Sequence, residues 1–297
     1  MKAARALVAL GLAALAAAPA KSGPIRVVTL STVLTEIAGE VGGGGVAVAG
    51  LVQPGVDPHS FNPSPSDMRL LADADIVLAS GLNLEPHLDR LVAGAGPAGR
   101  VVAVGDALPL VLAAPGEGGS GEKDPHWWHS IDNMLFAVGL VRDEFARARP
   151  SSAEAFARNA SAYRRRLLEL KEWVSGEIAK LPPGRRQLVT SHDAFGYFAH
   201  DYGFTIHSIS GVSTESEADA GRLARLVDII RSKNIRSVFA ESSSNPRLVE
   251  NLLEETEVGL GGTLYADGLG PPGSGAETYT AMYRHNVRTI VRALSGL

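Results

Sequence analysis

Residues 151–181 read SSAEAFARNASAYRRRLLELKEWVSGEIAKL, and this stretch divides the chain in two. It holds no proline and one glycine, Gly176, between the breaker Pro150 and the stop at Pro182-Pro183-Gly184. Ser151-Ser152-Ala153-Glu154 matches a capping box, in which a serine side chain and a glutamate three residues later satisfy free N–H groups at a helix start. Phe156, Tyr163, Leu167, Leu170 and Trp173 supply its large apolar side chains. The expectation is one helix close to the full length of this stretch, where an average helix has about 11–12 residues.

On both sides of that helix the sequence alternates between short β-branched runs and helical segments. Before it, strands are expected at Ile25–Ser31, Val46–Val52, Ile76–Ala79 and Val101–Val104. Helices are expected at Thr32–Val41, from Pro65, at Glu85–Ala93 and at Asn133–Ala148. After it, strands are expected at Gln187–Thr190, Thr205–Ser208, Ser237–Ala240 and Gly259–Leu264. Helices fall at Phe195–Tyr202, Glu217–Lys233, Pro246–Thr256 and Glu277–Leu294. Such spacing builds βαβ units and a mostly parallel sheet. The chain is therefore read as α/β, with an N-terminal lobe at 24–150, a linking helix at 151–181 and a C-terminal lobe at 185–297. Ligands of open α/β sheets sit outside the carboxyl ends of the strands, which places a site in the cleft between the lobes.

The first twenty residues stand apart. Lys2 and Arg5 precede an apolar run from Ala6 to Ala18 that ends in Ala18-Pro19-Ala20, the pattern of a secretory signal. Its removal takes away two positive and no negative charges, so the net charge moves from −4 to −6. That balance, without a long basic run, argues against a nucleic-acid partner. The sequence contains no cysteine, so it has no disulfide and no thioether lipid, and any metal must be held by nitrogen and oxygen. A free periplasmic protein follows as the expectation.

Asp124-Pro125-His126-Trp127-Trp128-His129 places two imidazoles and two indoles in six residues, after a glycine-rich loop at 116–121. A neutral imidazole offers a lone pair to a metal, and adjacent indoles would wall the site from water. Other metal-competent residues also follow strands: His59 after the second, His192 after the one that opens the second lobe, Glu241 and Asp267 further on. His87, His200, His207 and His285 lie in helices or a strand and read as structural or exposed. Three imidazoles with one carboxylate form a four-ligand site that zinc accepts, and a filled set leaves no place for an activated water. No HExxH pair, GxSxG elbow or phosphate-binding loop is present. A secreted zinc hydrolase using Glu241 as a base is the contrasting class.

Longer motifs carry a resemblance. Gln53-Pro54-Gly55-Val56-Asp57-Pro58-His59-Ser60-Phe61-Asn62-Pro63-Ser64-Pro65-Ser66-Asp67, Gly81-Leu82-Asn83-Leu84-Glu85-Pro86-His87-Leu88 and Asp124-Pro125-His126 occur in order. Ser191-His192-Asp193-Ala194-Phe195-Gly196-Tyr197-Phe198, Ser213-Thr214-Glu215-Ser216-Glu217, Ser244-Asn245-Pro246 and Gly262-Thr263-Leu264-Tyr265-Ala266-Asp267 follow. The series resembles the periplasmic solute-binding proteins of zinc and manganese ABC transporters, the cluster A-I family.

The resemblance implies metal ligands His59, His126, His192 and Asp267, with no catalysis and delivery to an ABC transporter permease. A histidine at position 192 resembles the zinc-binding members, so Zn2+ is the expected ligand, with manganese or iron as the alternative. A periplasmic zinc chaperone is a further candidate partner, and the protein is expected to act as a monomer. The family's two lobes are joined by one long helix, which implies ordering of loops near His126 on metal capture and little movement of the lobes. Two departures stand out. The segment 113–123 lacks the histidines that many zinc members carry there, and His129 occupies a position where the family more often has leucine. His129 is thus a rival ligand or a partner of His126, while Glu241 and Asp193 are the expected carboxylate partners of the ligand histidines.

Overall fold

A computed structural model of the chain describes residues 23–86, 88–96, 99–114, 122–214 and 220–295. The signal-like segment, the glycine-rich run at 116–121, His87, Glu215–Glu217 and the expected start of the helix at Glu217 lie outside the described residues.

The first lobe is built on four parallel strands, β1 (Ile25–Thr29), β2 (Val46–Gly50), β3 (Ile76–Ala79) and β4 (Arg100–Ala103), in the spatial order β2-β1-β3-β4. β1 sits centrally, with Val27 opposite both Val48 and Ile76. Its side chains Ile25, Val27 and Val28 are buried, as expected for a strand covered on both faces. α1 (Thr32–Gly42) leaves β1 at once because the Ser31 hydroxyl accepts the N–H of Leu34. α2 (Pro65–Asp73) starts with Pro65 in its first turn and a reciprocal capping box between Ser64 and Asp67.

α3 (Leu88–Ala95) begins three residues later than its pattern suggests. The Glu85 carboxylate turns back to accept the N–H groups of Ser80 and Gly81, at 2.7 and 3.1 Å. Leu82 and Asn83 between them adopt left-handed backbone angles, φ 54° and 66°, which a helix does not accommodate.

α4 (Ile131–Ala148) leads into α5 (Ala153–Ile178), the 26-residue linking helix. The capping box expected at Ser151 and Glu154 does not form. Pro150–Ser152 is a 3-10 turn, and the N–H of Ala153 finds the Pro150 carbonyl instead of a side chain. Phe156, Ala160, Tyr163, Leu167, Leu170, Val174 and Ile178 form the buried stripe of α5 at spacings of three and four residues. Each large apolar side chain so buried stabilises by roughly 1.5–3 kcal/mol. Its far end is held by Arg186, whose guanidinium donates to the carbonyls of Leu181 and Tyr202.

The second lobe carries β5 (Gln187–Thr190), α6 (Gly196–Tyr202), β6 (Thr205–Ser208), α7 (Ala220–Ser232), β7 (Ser237–Glu241), α8 (Pro246–Thr256), β8 (Gly259–Leu264) and α9 (Tyr279–Ser295). Its strands form two parallel ladders, β5-β6 and β7-β8, so every registered strand pair among the described residues is parallel. α9 starts after Glu277 because that carboxylate accepts the N–H groups of Gly273 and Gly275 in the turn before it.

α5 packs on α1 and α4 of the first lobe and on α9 of the second. One hydrophobic cluster accordingly runs through both lobes, from Val27 and Leu34 through Tyr163 and Leu170 to Phe195, Leu264 and Tyr283. Smaller clusters lie under α7 and α8 and under α2.

Candidate metal centre

Three of the expected residues come off the carboxyl ends of parallel strands. His59 follows β2, His192 follows β5 by two residues, and Asp267 follows β8. The fourth, His126, precedes the 3-10 turn Trp127–His129 that leads into α4. All four are buried, and one ligand-type atom from each lies within 4.8 Å of every other.

Their arrangement is tighter than that limit. His126 Nε2 stands 3.2 Å from His59 Nε2 and 3.3 Å from His192 Nε2. Asp267 Oδ1 stands 3.6, 3.5 and 3.1 Å from the Nε2 atoms of His59, His126 and His192. A tetrahedral ion with bonds of 2.0–2.1 Å sets its donor atoms roughly 3.3 Å apart, which these spacings match.

Each donor is oriented by what surrounds it. Asp124 Oδ1 accepts both the backbone N–H of His126, at 2.9 Å, and its Nδ1 proton, at 2.8 Å. Glu241, at the end of β7, accepts the backbone N–H of His192 through Oε1 and takes its Nδ1 proton in a very short contact through Oε2. Ser244 donates a second hydrogen bond to Glu241 Oε2 at 2.7 Å. Ser243 Oγ donates to Asp267 Oδ2 at 2.5 Å, while Asp267 Oδ1 has no hydrogen-bond donor among the described residues and faces the imidazoles. Both contacts fix Nε2 as the free lone pair of His126 and His192.

The electrostatics follow from burial and these partners. Burial disfavours charge on His126 and His192, but the surrounding carboxylates outweigh it and raise both pKa values, His192 well above the ordinary 6.5. Burial would raise Asp267, yet His192 and the other imidazoles hold it well below the usual carboxylate range. The metal-free site is thus a shielded anion facing imidazoles that favour protons, which a divalent cation would displace.

The neighbouring residues separate in role. His129 is outside the cluster. Its Nε2 donates to the Ala266 carbonyl at 2.8 Å, its ring lies 4.5 Å from that of Phe195, and burial lowers its pKa to about 4. Trp128 Nε1 donates to the same carbonyl at 2.9 Å, and its ring meets that of His126 edge-on at 5.4 Å. Trp127 instead reaches the Ser80 carbonyl of the first lobe. The Tyr279 and Tyr283 hydroxyls of α9 donate to the carbonyls of Trp128 and His129.

Asp193 makes no hydrogen bond to a ligand histidine among the described residues. Its Oδ1 is buried without a partner among the described residues, and burial, followed by the charge of Asp124, raises its pKa to about 6. The partner of His126 is Asp124, which the sequence reading passed over. The signal was present as a repeated triplet: Asp57-Pro58-His59 and Asp124-Pro125-His126. In both, the aspartate accepts the histidine's backbone N–H at 2.9 Å. His200, His207 and His285 bond to Asp201, Gln187 and the Thr263 carbonyl, away from the cluster.

Two α/β lobes tied by one helix, with a buried cation-type donor set in their cleft, define a solute-binding protein for a metal ion. The sequence model of the family described as "ZnuA: Zinc-uptake complex component A periplasmic" matches residues 27–293. The manganese-binding lipoprotein MntA of Bacillus subtilis (strain 168) is 38% identical over 276 residues, covering 91% of this chain and 90% of that protein. The zinc-binding protein TroA of Treponema pallidum (strain Nichols) is 34% identical over 281 residues, covering 93% and 91%. The solved structure of that periplasmic zinc-binding protein superposes with a TM-score of 0.86 over 92% of this chain and 99% of its own. The chain belongs to this family, the metal-binding solute-binding components of ABC transporters. Members of the family work with a membrane permease and an ATPase and are not enzymes.

Proposed function

We propose that this protein captures Zn2+ in the periplasm, as a monomer, and hands it to the permease of an ABC-type zinc importer. The observation that carries the reading is the set of three Nε2 atoms and one carboxylate oxygen, with His126 Nε2 at 3.2–3.3 Å from the other two nitrogens and Asp267 Oδ1 at 3.1–3.6 Å from all three. Three nitrogens suit zinc better than they suit Mn2+, which takes oxygen-rich octahedral shells. The Ser243 bond to Asp267 Oδ2 supports the same reading, because it leaves that carboxylate one oxygen to offer and keeps the coordination number low.

Manganese is the second reading, favoured by the 38% identity to a protein named for manganese. Hydrolysis is disfavoured, since Glu241, the base it would need, is already bonded to His192 and Ser244. Elemental analysis of protein purified without added metal, alongside His192→Ala, decides between these readings. Zinc at one per chain, lost in the variant, is the expected result. Manganese in preference to zinc would overturn the metal assignment, and metal-dependent turnover would overturn the carrier role.

A further inference from the structure

His59 is anchored differently from the other two ligand-type histidines. The Nδ1 protons of His126 and His192 go to Asp124 and Glu241. Among the described residues no carboxylate takes that of His59. Its anchor is the backbone N–H, which donates to Asp57 Oδ1 at 2.9 Å. Asp57 Oδ2 in turn accepts the hydroxyl of Thr214 at 2.5 Å. Asp57 lies in the loop after β2, whereas Thr214 lies between β6 and α7, so this bond ties the two lobes together beside the site.

His59 also lines a cavity of about 190 Å3 that reaches the surface between Asn83, Pro86, Lys123 and Ser213. His126 and His192 are fully enclosed and do not line it. Displacing either of them would break hydrogen bonds to a buried carboxylate, which are among the stronger ones a protein makes. Displacing His59 needs the 53–60 loop to swing and the Thr214–Asp57 bond to open, and that loop has no helix or strand to hold it.

We infer that the metal exchanges through this mouth by withdrawal of His59, and that the Thr214–Asp57 hydrogen bond is the latch that keeps His59 in place. Thr214 is thus a positioning residue for metal retention. The inference rests on the metal-carrier reading and adds which ligand leaves first and what releases it.

The test uses the full chain loaded with Zn2+ alone and mixed rapidly with a chelator in excess. Thr214→Val removes the donor and keeps the shape, Thr214→Ser keeps the donor, and Thr214→Ala removes the donor without the added methyl. The expected result is zinc release about ten-fold faster in the valine and alanine variants, with the serine variant within about two-fold of the unaltered protein. One zinc per chain and an unchanged melting temperature of the metal-free protein are expected throughout. Normal zinc uptake with unaltered release in Thr214→Val would overturn the latch alone, as would a serine variant that releases as fast as the valine one. Divergence between the valine and alanine variants would also overturn it. An unaltered protein that takes up no zinc would overturn the zinc-carrier reading and the latch with it.

Discussion

His129 Nε2 lies 2.8 Å from the carbonyl oxygen of Ala266, the residue before Asp267. This bond crosses from the first lobe to the second and places the backbone that presents the Asp267 carboxylate. With its pKa lowered to about 4 by burial, the ring stays neutral at physiological pH and keeps its proton on Nε2 to donate. His129→Leu should therefore keep one metal per chain and lose about 1 kcal/mol of stability, since Trp128 still bonds the same carbonyl. Denaturant melts with metal analysis check this; loss of the metal would instead make His129 a ligand.

Glu241 is expected to act on metal binding through His192, whose backbone N–H it accepts at 3.2 Å. Replacing it with glutamine removes the charge that supports the imidazole while leaving most of the shape. Metal affinity should fall roughly 10–100-fold with the fold intact. Competition titration against a chelator of known strength, with circular dichroism on the same sample, would show an unchanged affinity if Glu241 were merely structural.

Proton competition sets the pH dependence. His126 and His192 have raised pKa values, and only their neutral forms bind metal. Metal affinity should fall as pH falls, beginning at a higher pH than a free imidazole would set. The sign for the metal-free protein is opposite. Stability from these charged imidazoles is fully present below the ordinary value of 6.5 and lost as pH rises through the raised ones. Calorimetric titrations at pH 5 and 7.5 should differ strongly, and equal affinities would contradict the proposed ligand set.

Glu36 ties three elements. From α1 it accepts the Tyr163 hydroxyl of α5 at 2.8 Å and the Tyr279 N–H at the start of α9 at 2.6 Å. Glu36→Ala orphans both donors and should lower stability by about 2 kcal/mol, with Glu36→Gln recovering part of it. Urea unfolding of the metal-free protein measures this, and a neutral alanine variant would show that the node contributes nothing.

Because one hydrophobic cluster runs through both lobes and α5 packs on each, zinc should change the overall dimensions little. Small-angle scattering with and without metal tests this expectation. A marked compaction on zinc addition would mean that the lobes hinge despite their shared core.

Much of the architecture was legible in residue order. Alternating β-branched runs and helical segments placed all eight described strands and the long helix, because periodicity and Gly/Pro punctuation act locally. His59, His126, His192 and Asp267 were legible through motifs around strand ends, and the structure brings them together. Of the groups that hold them, residue order pointed to Glu241 but not to Asp124. Asp193 follows His192 in sequence yet bonds to none of the three clustered histidines among the described residues, whereas Glu241 reaches His192 across 49 positions and His129 reaches Ala266 across 137. Even the local capping box at Ser151 gave way to a 3-10 turn led by Pro150. Patterning along the chain determines which elements form. A buried donor or acceptor must instead be satisfied by whatever the packed elements bring within about 3 Å, and that only the tertiary structure decides.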